Sequence, residues 1–178
     1  MILKNLNKNL FFNLILVLSI FLFDRLSKLY VIYLDKKFFT SEIFSSKFLN
    51  INLIWNEGIA FGLLSLKEDR FYNILTLIIA LVIFIIFFML RSSEGFKKYS
   101  LLMILGGALG NIYDRIFYKA VPDFIDFHVG NFHWFIFNIA DIFITIGVVL
   151  MILIELFEDK NEKNENLKTN FITSFCSI

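Results

Sequence analysis

Three aspartates lie inside long apolar segments of this sequence, where a charged side chain is seldom found. Asp24, Asp114 and Asp141 each interrupt a hydrophobic run that is long enough to cross a membrane. A charge in the middle of a bilayer costs about 2.5–3.5 kcal/mol even on the scale with the smallest penalties. These carboxylates are therefore the first candidates for chemistry.

Two carboxylates held close together cannot both ionise, so one of them keeps its proton. The ionised one can take a proton from water while the other donates a proton to a carbonyl oxygen, which is peptide hydrolysis by an aspartyl pair without metal or cofactor. Asp24 and Asp114 each precede an arginine, which favours a structural role, whereas Asp141 has no adjacent cation. The candidate partner of Asp141 is Asp123, with Asp126 close behind.

The segment that holds Asp123 and Asp126 contains the only proline. Pro122 fixes its own φ angle and biases Val121 toward an extended conformation. Side chains three residues apart on an extended segment point to opposite faces. Only one of the two aspartates can then reach Asp141, and the spacing alone leaves open which one.

Four apolar segments have to position these carboxylates. Hydrophobic residues make up 58% of the 178 residues, with 24 Phe, which is more apolar surface than a soluble domain of this length needs. Each segment supplies the roughly 20 residues of a spanning helix, and together they comprise residues 10–34, 71–90, 99–118 and 134–156.

Residues 35–70, between the first two segments, are predicted to form a cap. Within this stretch, Lys47–Trp55 alternates partly between polar and apolar residues, as a half-buried strand does. The predicted fold is an all-α membrane bundle of four transmembrane helices with a small β-rich periplasmic cap between helices 1 and 2. Residues 1–157 form one integral membrane domain, and residues 158–178 a polar cytoplasmic tail.

The three aspartates reach a common depth if both termini lie inside, an orientation that the short basic loop 91–98 weakly favours. At about 1.5 Å per residue, Asp24, Asp114 and Asp141 each lie roughly 20 Å from the inner boundary of the bilayer core. This predicts one shared polar site near the outer face.

Polar neighbours extend that site. Asn111, Asp114 and Arg115 are spaced i, i+3, i+4 and share one face of the third helix, and Asn138 and Asp141 are likewise three residues apart. Arg115 is predicted to be the counter-charge of Asp114.

Five stretches then combine into a specific pattern: Asp24–Lys28, Asn56–Phe61, Gly106–Arg115, Val121–Phe127 and Phe137–Asp141. In this order and on these spans, they resemble the bacterial lipoprotein signal peptidases (signal peptidase II) over nearly the whole chain, from Asp24 to about Gly147. Arg25, Pro122 and Ile142 depart from the residues that are common in that family.

The resemblance implies a four-span peptidase of the bacterial inner membrane, with its active site near the outer face. Such an aspartic endopeptidase removes signal peptides from diacylglyceryl-modified prolipoproteins, cutting just before the lipidated cysteine, without a cofactor. By motif, Asp123 and Asp141 would be the catalytic pair. The supporting or substrate-binding residues would be Asp24, Asn56, Asn111, Asp114, Arg115 and Asn138.

The expected partners are lipidated prolipoproteins, membrane lipids and globomycin-type inhibitors, and the protein is expected to be a monomer. A net charge of +1 without a basic stripe argues against nucleic-acid binding. His128 and His133 have no partnering Glu-x-x-His motif, so no metal site is predicted. Cys176 is the only cysteine and allows no internal disulfide.

Two other functions fit parts of the sequence. Serine chemistry could use Ser65 near Lys67 or Ser46 beside Lys47, although neither pair lies in a nucleophile-elbow sequence. A small proton- or ion-conducting protein also carries intramembrane Asp and Asn. A conductor should leave a lipidated precursor peptide intact.

Overall fold

The computed structural model describes residues 2–40, 42–58, 69–130 and 132–176, and the side chains within 9–40, 42–58, 72–130 and 132–158. The elements are α1 (Ile2–Phe38), β1 (Glu42–Ser45), β2 (Leu49–Asn56), α2 (Asp69–Ser92), α3 (Gly95–Tyr118), β3 (Val121–Val129), β4 (Phe132–Phe137) and α4 (Ile139–Cys176). The described chain is mostly helical, with one small antiparallel sheet in the order β1-β2-β3-β4.

Among the described residues, three helices are long and apolar enough to cross a membrane, through the segments Asn9–Phe38 in α1, Tyr72–Ser92 in α2 and Ile139–Glu158 in α4. Charged and small residues lower the mean hydropathy of α3, which is not among the three. α3 packs against all three other helices, and Asp114 and Arg115 on it are buried. A mostly helical fold with three apolar candidate spans is confirmed, and the fourth span stays a prediction.

The fourth apolar segment is not one helix, and the prediction that it starts near Trp134 is wrong. Residues Phe132–Phe137 form β4, which pairs with β3, and α4 begins at Ile139. Asp141 is the only charged residue in the apolar run from Trp134 to Ile154, so periodicity alone could not separate strand from helix. Asp141 consequently lies in the first turn of α4. The helix continues to Cys176, beyond the predicted start of the polar tail.

The cap is larger than the connection between helices 1 and 2. The strand predicted at Lys47–Trp55 exists as β2, but β3 and β4 come from the connection between α3 and α4. Val31 of α1 packs against Leu53 of β2 and Phe124 of β3, which fixes the sheet on the end of α1. The predicted cap also includes residues 59–68, which lie outside the described residues.

Small residues let α3 approach its neighbours closely. A Cβ atom on Gly107 would lie 2.5 Å from the carbonyl oxygen of Ala140, and one on Gly110 would lie 2.5 Å from Oδ2 of Asp24. Neither contact tolerates a side chain. These two glycines therefore allow α1, α3 and the start of α4 to meet beneath the sheet.

Candidate active site

A cavity of about 340 Å³ lies where β3, α3 and the start of α4 meet. Six of the eight residues predicted for the site line it: Asn56, Asn111, Arg115, Asp123, Asn138 and Asp141. Asp24 and Asp114 do not line the cavity. The structure therefore separates the predicted shared site into a polar cavity and a group of charges beside it.

Asp123 lies on β3 and is 4% exposed. Its two carboxylate oxygens accept hydrogen bonds from Nδ2 of Asn138 at 2.6 Å and Nδ2 of Asn56 at 2.8 Å. Burial raises the pKa of Asp123 to about 6, and the neighbouring charge of Asp141 adds to the rise, whereas the two amide donors oppose it. Asp123 can thus hold a proton in mildly acidic solution, where an ordinary aspartate cannot.

Asp141 and Asn138 form a reciprocal cap at the start of α4. The backbone N–H of Asn138 donates to Oδ2 of Asp141 at 3.1 Å, and the backbone N–H of Asp141 donates to Oδ1 of Asn138 at 3.1 Å. This is the geometry of a capping box. Because the side chain of Asn138 also donates to Asp123, this one residue holds both carboxylates.

Asp126 points away from the cavity, as the alternation of side chains along an extended strand predicts. Its carboxylate meets Nδ1 of His133 at 2.8 Å and an amide of Asn50 at 3.4 Å, and it does not line the cavity. Of the two candidate partners of Asp141, only Asp123 shares its cavity.

Asp24 and Asp114 belong to a buried ion cluster with two cations of α1. Nζ of Lys28 lies 2.9 Å from Asp24 and 2.8 Å from Asp114, and Arg25 also pairs with Asp114. The prediction that Arg115 is the counter-charge of Asp114 is wrong. Consecutive residues on a helix do not face each other, so the partners of Asp114 come from another helix.

Asp24 also joins the cluster to the start of α4. Its Oδ1 accepts the backbone N–H of Ala140 at 2.9 Å. A negative charge at this end of a helix is stabilised by the helix dipole and satisfies an otherwise unpaired N–H group.

Arg115 instead points toward the end of β2. Its guanidinium donates to the carbonyl oxygen of Gly58 at 2.7 Å and lies over the ring of Tyr72, 5.4 Å from the centroid. Its Nε and Nη1 atoms have no hydrogen-bond partner among the described residues. Arg115 therefore connects the wall of the cavity to the residue that follows the end of β2.

Lys28 is the residue that the sequence interpretation missed. It is fully buried, and its Nζ also donates to Oδ1 of Asn111 at 2.9 Å, which leaves Nδ2 of that amide to donate to Asp141 at 2.8 Å. Lys28 thereby sets the orientation of Asn111 toward Asp141. The i, i+4 spacing from Asp24 was the available signal for an ion pair on one helix face.

The serine alternatives receive no support from the described residues. The hydroxyl of Ser46 bonds to the carbonyl oxygen of Leu49 in the cap, away from the cavity. Ser65 and Lys67 lie outside the described residues.

Comparisons with known proteins find relatives that match most of this chain. A family model described as signal peptidase (SPase) II matches residues 16–157. The lipoprotein signal peptidase of Pelagibacter ubique is 50% identical over 158 residues, which cover 89% of this chain and 95% of that protein. That of Aquifex aeolicus is 41% identical over 161 residues, covering 89% and 94%.

A solved structure described as a bacterial membrane enzyme, obtained by the in meso method, superposes with a TM-score of 0.65 at 33% identity. The match covers 85% of this chain and 90% of that one. These similarities favour the peptidase over the ion-conducting alternative.

Removing one member of the ion cluster tests whether the helices depend on it. Lys28→Met leaves two buried carboxylates with Arg25 alone, and breaking a buried pair costs about 3–5 kcal/mol. We expect a clearly lower unfolding temperature for the purified protein in detergent. Lys97→Met is the matched control, because Lys97 pairs with Glu155 at an exposed position and should unfold at the parental temperature. Equal unfolding temperatures for the two variants would contradict a structural role for the cluster.

Proposed function

Because this chain belongs to the signal peptidase II family of aspartic endopeptidases, which remove signal peptides from lipoproteins, we propose that Asp123 and Asp141 are its catalytic pair. The substrates are prolipoproteins that carry diacylglycerol on a cysteine, and the bond cut is the one just before that cysteine. The observation that carries this assignment is the common cavity of the two carboxylates, both held by Asn138.

We assign the shared proton of the two carboxylates to Asp123, because their surroundings favour it there. Asp141 accepts a backbone N–H in the first turn of α4, where the helix dipole stabilises a negative charge. Burial and the charge of Asp141 raise the pKa of Asp123 to about 6. Asp141 is therefore the base and Asp123 the acid in the first step.

The proton transfers then balance over two steps. Asp141 takes a proton from water as the water oxygen attacks the scissile carbonyl carbon, while Asp123 gives its proton to the carbonyl oxygen. When the tetrahedral intermediate collapses, Asp141 returns its proton to the leaving nitrogen and Asp123 recovers one from a hydroxyl group. The C–N bond breaks, and the pair regains its starting protonation.

The other residues of the cavity have positioning roles. Asn56 and Asn138 hold the Asp123 carboxylate, while Asn111 and the backbone of Asn138 hold Asp141. Arg115 lines the same cavity and holds the carbonyl oxygen of Gly58.

The position of the pair at the end of an apolar span supports a site at the membrane surface. Asp141 lies in the first turn of α4, and Asp123 lies on the sheet beyond that helix end. We place this end at the outer face of the inner membrane, with α3 as a fourth span whose polar groups face protein. The enzyme acts as a monomer among membrane lipids, and globomycin-type peptides compete for the cavity.

Amide substitutions separate the catalytic pair from its neighbour on β3. Asp123→Asn and Asp141→Asn keep the side-chain shape and remove the titrating group, so each should abolish turnover while the protein stays folded. Asp126→Asn should retain a substantial part of the activity. The measurement is cleavage of a lipidated precursor by purified protein in detergent. Loss of activity in Asp126→Asn with a functional Asp123→Asn would overturn the assignment.

The lipid on the substrate is expected to supply much of the binding energy. A diacylglyceryl group anchors the cysteine at the membrane surface, level with the pair, and buries apolar area in the bilayer. The measurement is the cleavage of the same precursor in its lipidated and its unlipidated form, in the same detergent. The unlipidated form should show a much lower kcat/KM, and comparable efficiency for the two forms would refute the proposed substrate class.

The raised pKa of Asp123 predicts an alkaline limit to activity. The reacting form needs a proton on Asp123, so kcat/KM should fall as the pH rises through about 6 in the free enzyme. Asn56→Ala removes a hydrogen bond that favours the ionised carboxylate of Asp123, so the fall in kcat/KM should occur at a higher pH. Asn50→Ala, which removes an amide from Asp126 instead, should leave the pH of this fall unchanged. A downward shift for Asn56→Ala would contradict the acid role of Asp123.

A further inference from the structure

The β3–β4 hairpin brings together three potential metal ligands outside the catalytic cavity. Asp126 and His128 lie on β3, and His133 of β4 is the cross-strand partner of His128. One ligand atom from each residue lies within 4.8 Å of the other two. We propose that this cluster, named here the hairpin site, binds a divalent transition-metal ion such as Zn²⁺.

Not every potential ligand atom of the hairpin site has a hydrogen-bond partner among the described residues. Nδ1 of His133 lies 2.8 and 3.0 Å from the two oxygens of Asp126, a carboxylate that is 2% exposed. Nδ1 of His128 is buried and has no hydrogen-bond partner in the described part of the chain. A buried polar atom without a partner is destabilising, so the His128 ring is not fully satisfied by the protein contacts around it.

Four residues separate His128 and His133 in the sequence, which is within the His-x3–5-His spacing of many zinc sites. The spacing alone does not bring the ligands together; they meet because β3 and β4 pair in antiparallel register. The two imidazole rings stack at 5.1 Å with an interplanar angle of 21°. The two histidines are therefore neighbours both along the chain and across the strand pair.

The ligand types select the class of ion. Two imidazoles and one carboxylate suit Zn²⁺ and its transition-metal neighbours, whereas Ca²⁺ and Mg²⁺ prefer oxygen ligands alone. Bonds of about 2.0–2.2 Å in a tetrahedron put ligand atoms about 3.3 Å apart. The observed separations of 2.8 Å and up to 4.8 Å bracket this value, so small side-chain rotations suffice. The His133 side chain is 54% exposed, which leaves the fourth position open to water.

A bound ion would tie β3 to β4 near the hairpin turn. Asp123 lies three residues before Asp126 on the same strand, so the ion would stabilise the strand that carries it. The inference does not rest on the catalytic assignment, because none of the three ligands lines the cavity.

The composition of the chain makes the site easy to test. Both histidines of the 178 residues belong to it, and Cys176 is the only cysteine. Full-length protein carrying Cys176→Ser, purified in detergent with a tag free of histidine, is titrated with Zn²⁺ by calorimetry. We expect one ion per chain, and a binding constant at least about tenfold weaker in His128→Asn, His133→Asn and Asp126→Asn. Glu42→Gln, an exposed acid on β1, is the matched control and should bind like the parent.

Two results would overturn the hairpin site: no stoichiometric binding by the parent, or binding that the three ligand variants do not weaken. If a variant fails to fold, the visible absorption spectrum of the parent protein with Co²⁺ added tests the hairpin site instead. A low-symmetry nitrogen–oxygen site gives intense visible bands, whereas free Co²⁺ gives weak ones. Removal of the ion by a chelator should lower the unfolding temperature of the parent while precursor cleavage persists. This last readout distinguishes failure of the hairpin site from failure of the proposed function.

Discussion

Four buried charges of opposite sign hold the helical part of this protein together. Asp24, Arg25 and Lys28 of α1 and Asp114 of α3 are each less than a tenth exposed, and none could remain charged in an apolar bundle without the others. The cluster therefore forms only when α1 and α3 dock correctly. Through Lys28 and the amide of Asn111 it also reaches the proposed catalytic carboxylate of α4. The arrangement of the cavity depends on an ionic contact that lies outside it.

The junction between β4 and α4 is the second feature on which the arrangement of the cavity depends. Asn138 is the one residue between them, and its three polar groups cap the helix, hold Asp141 and hold Asp123. A carboxylate of the proposed pair is thus also a structural cap. Its geometry is set by backbone hydrogen bonds, which are less adjustable than contacts between flexible side chains. Gly107 contributes by letting α3 lie directly against the backbone of this junction.

The cavity is lined by two chemically different sets of residues, which suits a peptide held at a membrane surface. One set consists of asparagines and carboxylates, and the other includes Leu75 and Ile79 of α2 and Phe135 and Phe137 of β4. An apolar signal peptide can pack against the apolar residues while its scissile bond meets the polar ones. Burial then serves the chemistry directly, because the same desolvation that raises the pKa of Asp123 also keeps bulk water from the pair.

The sequence by itself determined the apolar runs, the charges that interrupt them, the extended segment after Pro122 and, through five motifs, the family. These features are local or additive, so composition and spacing report them directly. Only the tertiary structure decided that Arg25 and Lys28, not Arg115, neutralise Asp114, that the fourth apolar run divides into β4 and α4, and that two histidines meet beside Asp126. Each of these outcomes pairs residues from different elements. Such pairings outweigh local preference, since the free energy of burying a charge or a strand edge is set by what lies opposite it in space.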